Sequence, residues 1–551
     1  MKHLFSALLC TAALASANAW ATNTTGYCCT VAPYISVRSQ SEDAARELSG
    51  WTEHVNLHNK DTFYSSTSLT PVYTRSFRPT ALASLLFGCD LQGCDCRSLY
   101  IRGMNVPGRN SEKDLASAYF YLPNDFKSNI CFNPTVQNAL VDFNMYLGFD
   151  EWVKNLYFRI HAPITHTKWA LQPFEDEVIS GTTTVANYNS SYVTTGLDSF
   201  YSYACAGKTP TPQTILLPNQ SAPTPVYFQG LHYAKICPCA QSRTGLSDIQ
   251  ADLGWNFTRE RYHIGAFARV AMPTGNRPQG EYLFEPMIGN GKQWEFGGGI
   301  TSHVVLWDWQ EQNRTANFFC DANVTHMFSA RQRRVFDLCK NGPLSRYMLA
   351  WKDTTVSGIT SLVDIAPVAN LTRCTVNVSS AVQVDVVALL NYFHNNFTLD
   401  FGYNFWLRSC EKIKCASCDC CNSSCQELDG KTWKTISSGT IHELPNIASI
   451  INSNDYYAIG QGDLNTNGAR TRGVSHKVFT HFAFNFFDYF DRAIPFLGFG
   501  AELEFGASNN VEKSCCCNSD TQNCCIACTK QCCRSSALSQ WGIWAKGGLS
   551  F

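Results

Sequence analysis

The stretch "WGIWAKGGLSF", residues 541–551, decides how this chain reads. Trp541, Ile543, Ala545, Gly547, Leu549 and Phe551 share one face of an extended strand. Gly542, Trp544, Lys546, Gly548 and Ser550 share the other. Terminal segments usually fray. A strand this apolar on one face is therefore expected to be paired along both edges, as the last strand of a closed barrel is.

The same period of two recurs upstream, and period two is the mark of a strand with two unlike faces. In "LGFGAELEFGAS", Leu497, Phe499, Ala501, Leu503 and Phe505 oppose Gly498, Gly500, Glu502 and Glu504. In "FTLDFGYNFWL", Leu399, Phe401, Tyr403, Phe405 and Leu407 oppose Thr398, Asp400, Gly402 and Asn404. "KQWEFGGGITSHVVLW" sets Trp294, Phe296, Ile300, Val304 and Leu306 against Glu295, Gly297, Gly299 and His303. "NLYFRIHAPIT" sets Leu156, Phe158, Ile160, Ala162 and Ile164 against Tyr157, Arg159 and His161.

Strands are predicted over 133–149, 153–167, 248–258, 262–272, 292–307, 315–330, 380–393, 397–408, 476–488, 496–508 and 537–551. Weaker alternation at 62–76, and possible strands at 97–103 and 115–122, bring the expected count to about 14–16, even as barrels of this kind require. Sandwiches alternate too, so the connections discriminate. Residues 150–152, 259–261, 308–314, 394–396 and 489–495 are short, whereas 168–247, 273–291, 331–379, 409–475 and 509–536 are long. Short turns at one end and long loops at the other predict an all-β fold: a closed antiparallel transmembrane β-barrel with short periplasmic turns and long outer loops.

The first residues fit export. Lys2 and His3 precede an apolar run from Leu4 to Ala15, and Ala17-Asn18-Ala19 or Ala19-Trp20-Ala21 offers a cleavage site, so 1–21 reads as a signal peptide. Beyond it no stretch reaches the roughly 20 apolar residues of a membrane-spanning helix. Residues 22–60 form an N-terminal segment in which Ser41 to Gly50 reads as a short helix, with Ser41 as N-cap and Gly50 as the stop. That segment is a plug or a linker, and 61–551 is the barrel.

The chain has 27 cysteines, and all but Cys10 lie beyond the leader. One cluster holds Cys410, Cys415, Cys418, Cys420, Cys421 and Cys425, and another Cys515, Cys516, Cys517, Cys524, Cys525, Cys528, Cys532 and Cys533. In an oxidising compartment these read as disulfides rather than a zinc site. Both clusters fall in long loops, as do Cys205, Cys237, Cys239, Cys339 and Cys374, while Cys320 falls in a strand as a free or core thiol. With 43 basic and 44 acidic residues there is no overall field for nucleic acid. Aromatic content of 13% and charged content of 16% suit a membrane barrel better than a soluble enzyme.

The closing strand, with Trp541, Ile543, Leu549 and the terminal Phe551, resembles the barrel-closing signal of bacterial outer-membrane proteins. That resemblance implies outer-membrane lipid around the barrel, and assembly by the barrel-assembly machinery acting on this strand. Cysteine abundance on a porin-sized chain is similar to the major outer-membrane porins of chlamydiae, and implies disulfide-linked neighbours. "ARVAMPTGNRPQG", Ala268 to Gly280, is faintly similar to segments of outer-membrane long-chain fatty-acid transporters.

The inward faces supply the candidate pore-lining residues: Arg159, His161, Arg269, Glu295, His303, Asp400, Glu502, Glu504 and Lys546. The competing reading pairs them as ions filling a narrow or plugged lumen. Trp294, Tyr403, Trp541 and Phe551 are candidates for interfacial girdles. There is no G-x-S-x-G or H-E-x-x-H, so no catalytic residue, metal or cofactor is expected. Sequons such as Asn189, Asn256, Asn323 and Asn396 favour a rival secreted, glycosylated product, although Asn256 and Asn396 lie in or beside strands and tight turns. The expected function is a porin for passive diffusion of small solutes, single or oligomeric. The alternatives are a disulfide-cross-linked envelope protein and a transporter of hydrophobic substrates.

Overall fold

A computed structural model describes residues 31–57, 62–88, 98–181, 196–211, 214–215, 224–356, 359–415, 428–443, 447–487, 493–507 and 533–551. Twelve antiparallel strands form a closed barrel. Its first half is β1 (Tyr64–Ser76), β2 (Thr135–Gly148), β3 (Leu156–Ala170), β4 (Ile249–Arg259), β5 (Tyr262–Met272) and β6 (Glu295–Trp309). The second half is β7 (Arg314–Arg334), β8 (Cys374–His394), β9 (Phe397–Arg408), β10 (Thr471–Asn485), β11 (Ile494–Gly506) and β12 (Gln540–Ser550). Each strand pairs with its sequence neighbour, and β12 returns to β1 in the register Ser66↔Ser550 to Ser76↔Gln540. Backbone bonds between Ser65 and Phe551, at 2.8 and 3.3 Å, finish that seam.

The count of twelve corrects the expected 14–16. Residues 62–76 do form a barrel strand, but those near 97–103 and 115–122 do not. Ser98–Arg102 and Leu115–Ala116 instead join Lys127–Phe132 and Pro173–Ile179 in a separate four-stranded sheet. Short strands alternate just as barrel strands do, and only their partners tell them apart.

Alternation of burial follows the sequence pattern. On β12, Ile543 and Leu549 face outward and exposed, whereas Gly542, Trp544, Lys546 and Ser550 are buried inside. Phe296, Ile300, Phe401 and Phe499 continue the exposed apolar exterior on β6, β9 and β11. A bulge between Val305 and Trp307 shifts the phase of β6, so Leu306 and Trp307 are both exposed. Among the interfacial candidates Trp294, Tyr403 and Phe551 are exposed and Trp541 is half-buried.

All the short connections lie at one end. At the other end the long connections fold over the barrel and build a core of their own. A five-stranded sheet combines Tyr227–Phe228, Ile359–Pro367, Leu349–Val356, Asp429–Ile436 and Tyr456–Gly460. Phe120, Tyr203, Trp351 and Trp433 lie buried in one apolar cluster beneath it. Cys205–Cys237 and Cys410–Cys533 are disulfides in this region, and Cys339 is also disulfide-bonded. The second bond joins the two cysteine clusters. Cys418 to Cys425 and Cys515 to Cys532 lie outside the described residues, and Cys320 is a free thiol on β7.

Candidate functional site

The lumen is occupied by the chain's own residues 31–57. Their helix, α1, runs from Ala44 to Leu48 and starts at Asp43, whose carboxylate accepts from the Arg46 backbone N–H. The N-cap expected at Ser41 is displaced because that hydroxyl donates to the Asp248 carbonyl on the barrel side. Past the helix, Gly50 adopts φ +65° and donates its N–H to Asp400 at 2.8 Å. A Cβ at Gly50 would lie 2.2 Å from the His481 ring, so a side chain there would meet a clash as well as backbone strain.

Charge complementarity holds the segment. Arg38 reaches Asp385 at 2.7 Å and Glu504 at 3.2 Å, and Arg46 lies 3.7 Å from Glu502. Asp43 receives Lys477 of β10. Glu47 accepts Arg159 at 2.7 Å and Arg269 at 3.2 Å, with His161 at 3.6 Å. Plug and wall thus exchange both signs of charge, which buried ions require because each alone would be left desolvated and unpaired. Burial opposes ionisation of Glu47, but Arg269 and Arg159 overcome it and hold the carboxyl down at about 2. Glu42 moves the other way: burial, reinforced by Glu295, raises it well above the usual carboxylate range. Glu42 accepts from Gln250 at 2.6 Å and Asn323 at 3.2 Å.

Eight of the nine residues singled out from sequence meet either the plug or groups that hold it. Arg159, His161 and Arg269 converge on Glu47. Asp400 holds Gly50, Glu502 and Glu504 face Arg46 and Arg38, and Lys546 caps the C-terminal carbonyls of α1, including that of Ser49 at 2.7 Å. Glu295 accepts from Asn290 at 2.8 Å and Gln383 at 3.0 Å, next to the Glu42 site. His303 stands apart, against His263 and stacked on Phe319 at 5.2 Å, and does not meet Glu295. Arg38, Asp385 and Lys477 also join the plug to the wall, and the alternation pattern does not single them out. Lys477 shares the inward face of β10 with Phe479 and Ala483, so that strand lacks a clean polar side.

Among the described residues, small cavities lie between the plug and the wall. One of about 30 Å³ is bordered by Arg38, Asp43, Thr74, Asn138 and Gln540. Another, about 40 Å³, is bordered by Glu47, Trp51, Arg159, Asp252 and Asp321. Each has room for only a few waters.

No family model and no curated protein matches the chain. Among solved structures, an outer-membrane channel of Pseudomonas putida F1 aligns at 8% identity over 88% of this chain and 96% of that one, with a TM-score of 0.33. A FadL homologue of Pseudomonas aeruginosa aligns at 7% identity over 89% of each chain, with a TM-score of 0.25. The outer-membrane protease OmpT of Escherichia coli aligns at 6% identity over 90% of this chain and 99% of that one, with a TM-score of 0.21. At these scores the likenesses carry no argument about function.

Proposed function

We propose that this protein is a bacterial outer-membrane channel whose N-terminal segment plugs the lumen and must shift for small solutes to pass. The observation that carries this reading is the polar seam between plug and wall. Ion pairs and hydrogen bonds to Arg38, Asp43, Glu47 and Gly50 can be exchanged for water, and the wall left behind would be charged and wettable. A barrel with a purely structural task gains nothing from so many buried charges, because apolar filling of the same volume is at least as stable. The exposed apolar exterior of β6, β9, β11 and β12 suits lipid, and the closing strand suits recognition by the assembly machinery.

Porin-like diffusion is favoured over hydrophobic transport because the lumen wall is dominated by charged and hydroxyl groups. The test is flux through reconstituted full-length protein. Wild type should conduct weakly, and Arg38→Ala combined with Glu47→Ala should raise conductance at least tenfold. Folded barrels that stay silent in both forms would remove the channel reading, and co-purifying lipid in the lumen would favour the transporter. Disulfide-linked ladders on non-reducing gels, with no conductance, would favour the structural role.

A further inference from the structure

One sector of the lumen wall carries a run of hydroxyls along a single strand. From Ser66 to Ser76, β1 turns a hydroxyl inward at every second position except Val72. Ser66, Ser68 and Thr70 are 0%, 2% and 1% exposed, and none of their hydroxyls has a partner among the described residues. Asn144 on β2 stands opposite Ser68 at 1% exposure, and its side-chain oxygen is also unpartnered. Unpaired buried hydroxyls are costly, so a row of them on adjoining strands marks a surface made to be hydrogen-bonded by something that passes.

The row is interrupted once. Val72 lies between Leu140 on β2 and Trp544 on β12 in the barrel register. These three pack in one apolar cluster with Ala45 and Leu48 of α1. Beyond the collar lies the 30 Å³ cavity with Thr74 and Asn138 on its border. An apolar constriction along a polar wall can gate by dewetting.

We infer that the solute path runs between α1 and the β12–β1–β2 wall, that the Val72–Leu140–Trp544 collar gates it, and that its cargo is a small uncharged polyol. This rests on the channel reading above. The cargo follows from what faces the path. Hydroxyls both donate and accept, as a polyol does. The nearby charges are already engaged: Asp142 with His161 at 3.2 Å, Lys546 with the α1 carbonyls and, bordering the cavity, Arg38 with Asp385 and Asp43 with Lys477. A charged solute would find no counter-charge there without breaking a plug contact.

The test uses full-length protein in liposomes, with ribitol and gluconate as probes and heat-modifiable migration as the control for folding. Val72→Ser should speed ribitol entry at least threefold, and Ser68→Phe should slow it at least threefold. Leu390→Ser, on the outer face of β8 and away from the collar, should leave ribitol entry unchanged. Unchanged ribitol entry in both β1 variants overturns the path while leaving a channel standing. An equal gain for gluconate overturns the cargo. A second readout needs no transport: hydroxyl-radical footprinting of wild type should oxidise Leu140 at least fivefold faster than Leu389 on the opposite wall. Equal rates overturn the hydrated path. Unequal rates with no ribitol entry through any folded variant overturn the channel reading, and the cargo with it.

Discussion

Lys546 of the closing strand donates to the carbonyl oxygen of Ser49 at 2.7 Å, and also to that of Arg46. The strand that seals the barrel therefore also caps the C-terminal end of the plug helix, where carbonyls lack intrahelical partners and favour a cation. Lys546→Met keeps the stem and removes the charged donor. Loss of such a bond typically costs about 1.5–3 kcal/mol. The expected outcome is faster deuterium uptake across residues 44–52 with unchanged protection of β6 to β9. Uniform loss of protection would mean that the barrel itself depends on Lys546.

Gly50 offers a steric counterpart. Its φ of +65° and the 2.2 Å approach of His481 mean that Gly50→Ala combines backbone strain with a clash. The N–H bond to Asp400 would be displaced as well. Plug seating should weaken by about 2 kcal/mol or more, seen as new protease cleavage within 44–57. The double variant Gly50→Ala with His481→Ala should recover part of the loss, because it removes the clash and leaves the strain.

Much of this design is written in local pattern and some is not. Period-two alternation and the parity of connections show the barrel, since every residue on β9 or β11 reports its own face. The cap is illegible because its pairings are remote: Trp351 meets Lys434, and Tyr227 runs parallel to Asp364. The helix in "SEDAARELSG" is visible from its residues, but its partners are not. Asp43 and Lys477 meet across hundreds of intervening residues, and nothing local to either identifies the other. The strand count erred for the same reason, as the extra segments alternate correctly and pair elsewhere.

Seating of the plug should depend on pH with a maximum near the ordinary carboxylate range. Glu47 is lowered to about 2 from 4.5, so its contribution is present above the ordinary value and is lost as pH falls towards 2. Glu42 is raised, so the seated plug holds the proton that a released plug would give up. Its contribution is full below the ordinary value and declines as pH rises above it. Proteolysis of the plug, measured from pH 3 to pH 9, should show both limbs. Glu42→Gln should flatten the upper limb only. An upper limb that survives this change would mean another group controls it.

Ile543 tests whether lipid surrounds the barrel. It is 53% exposed on the outer face of β12, one residue from the inward Trp544. In water, an exposed Ile→Arg change on a strand is nearly neutral, within about 0.5 kcal/mol. In the hydrocarbon of a bilayer the same change costs about 2–4 kcal/mol near the midplane and little at the interfaces. Ile543→Arg should therefore reduce the heat-modifiable, membrane-inserted fraction several-fold. Thr67→Arg, near the mouth on the neighbouring strand and opposite Leu549, should do so much less. The two substitutions add the same charge to the same seam and differ in depth. Equal tolerance of both would place the exterior in water and remove the membrane from the account.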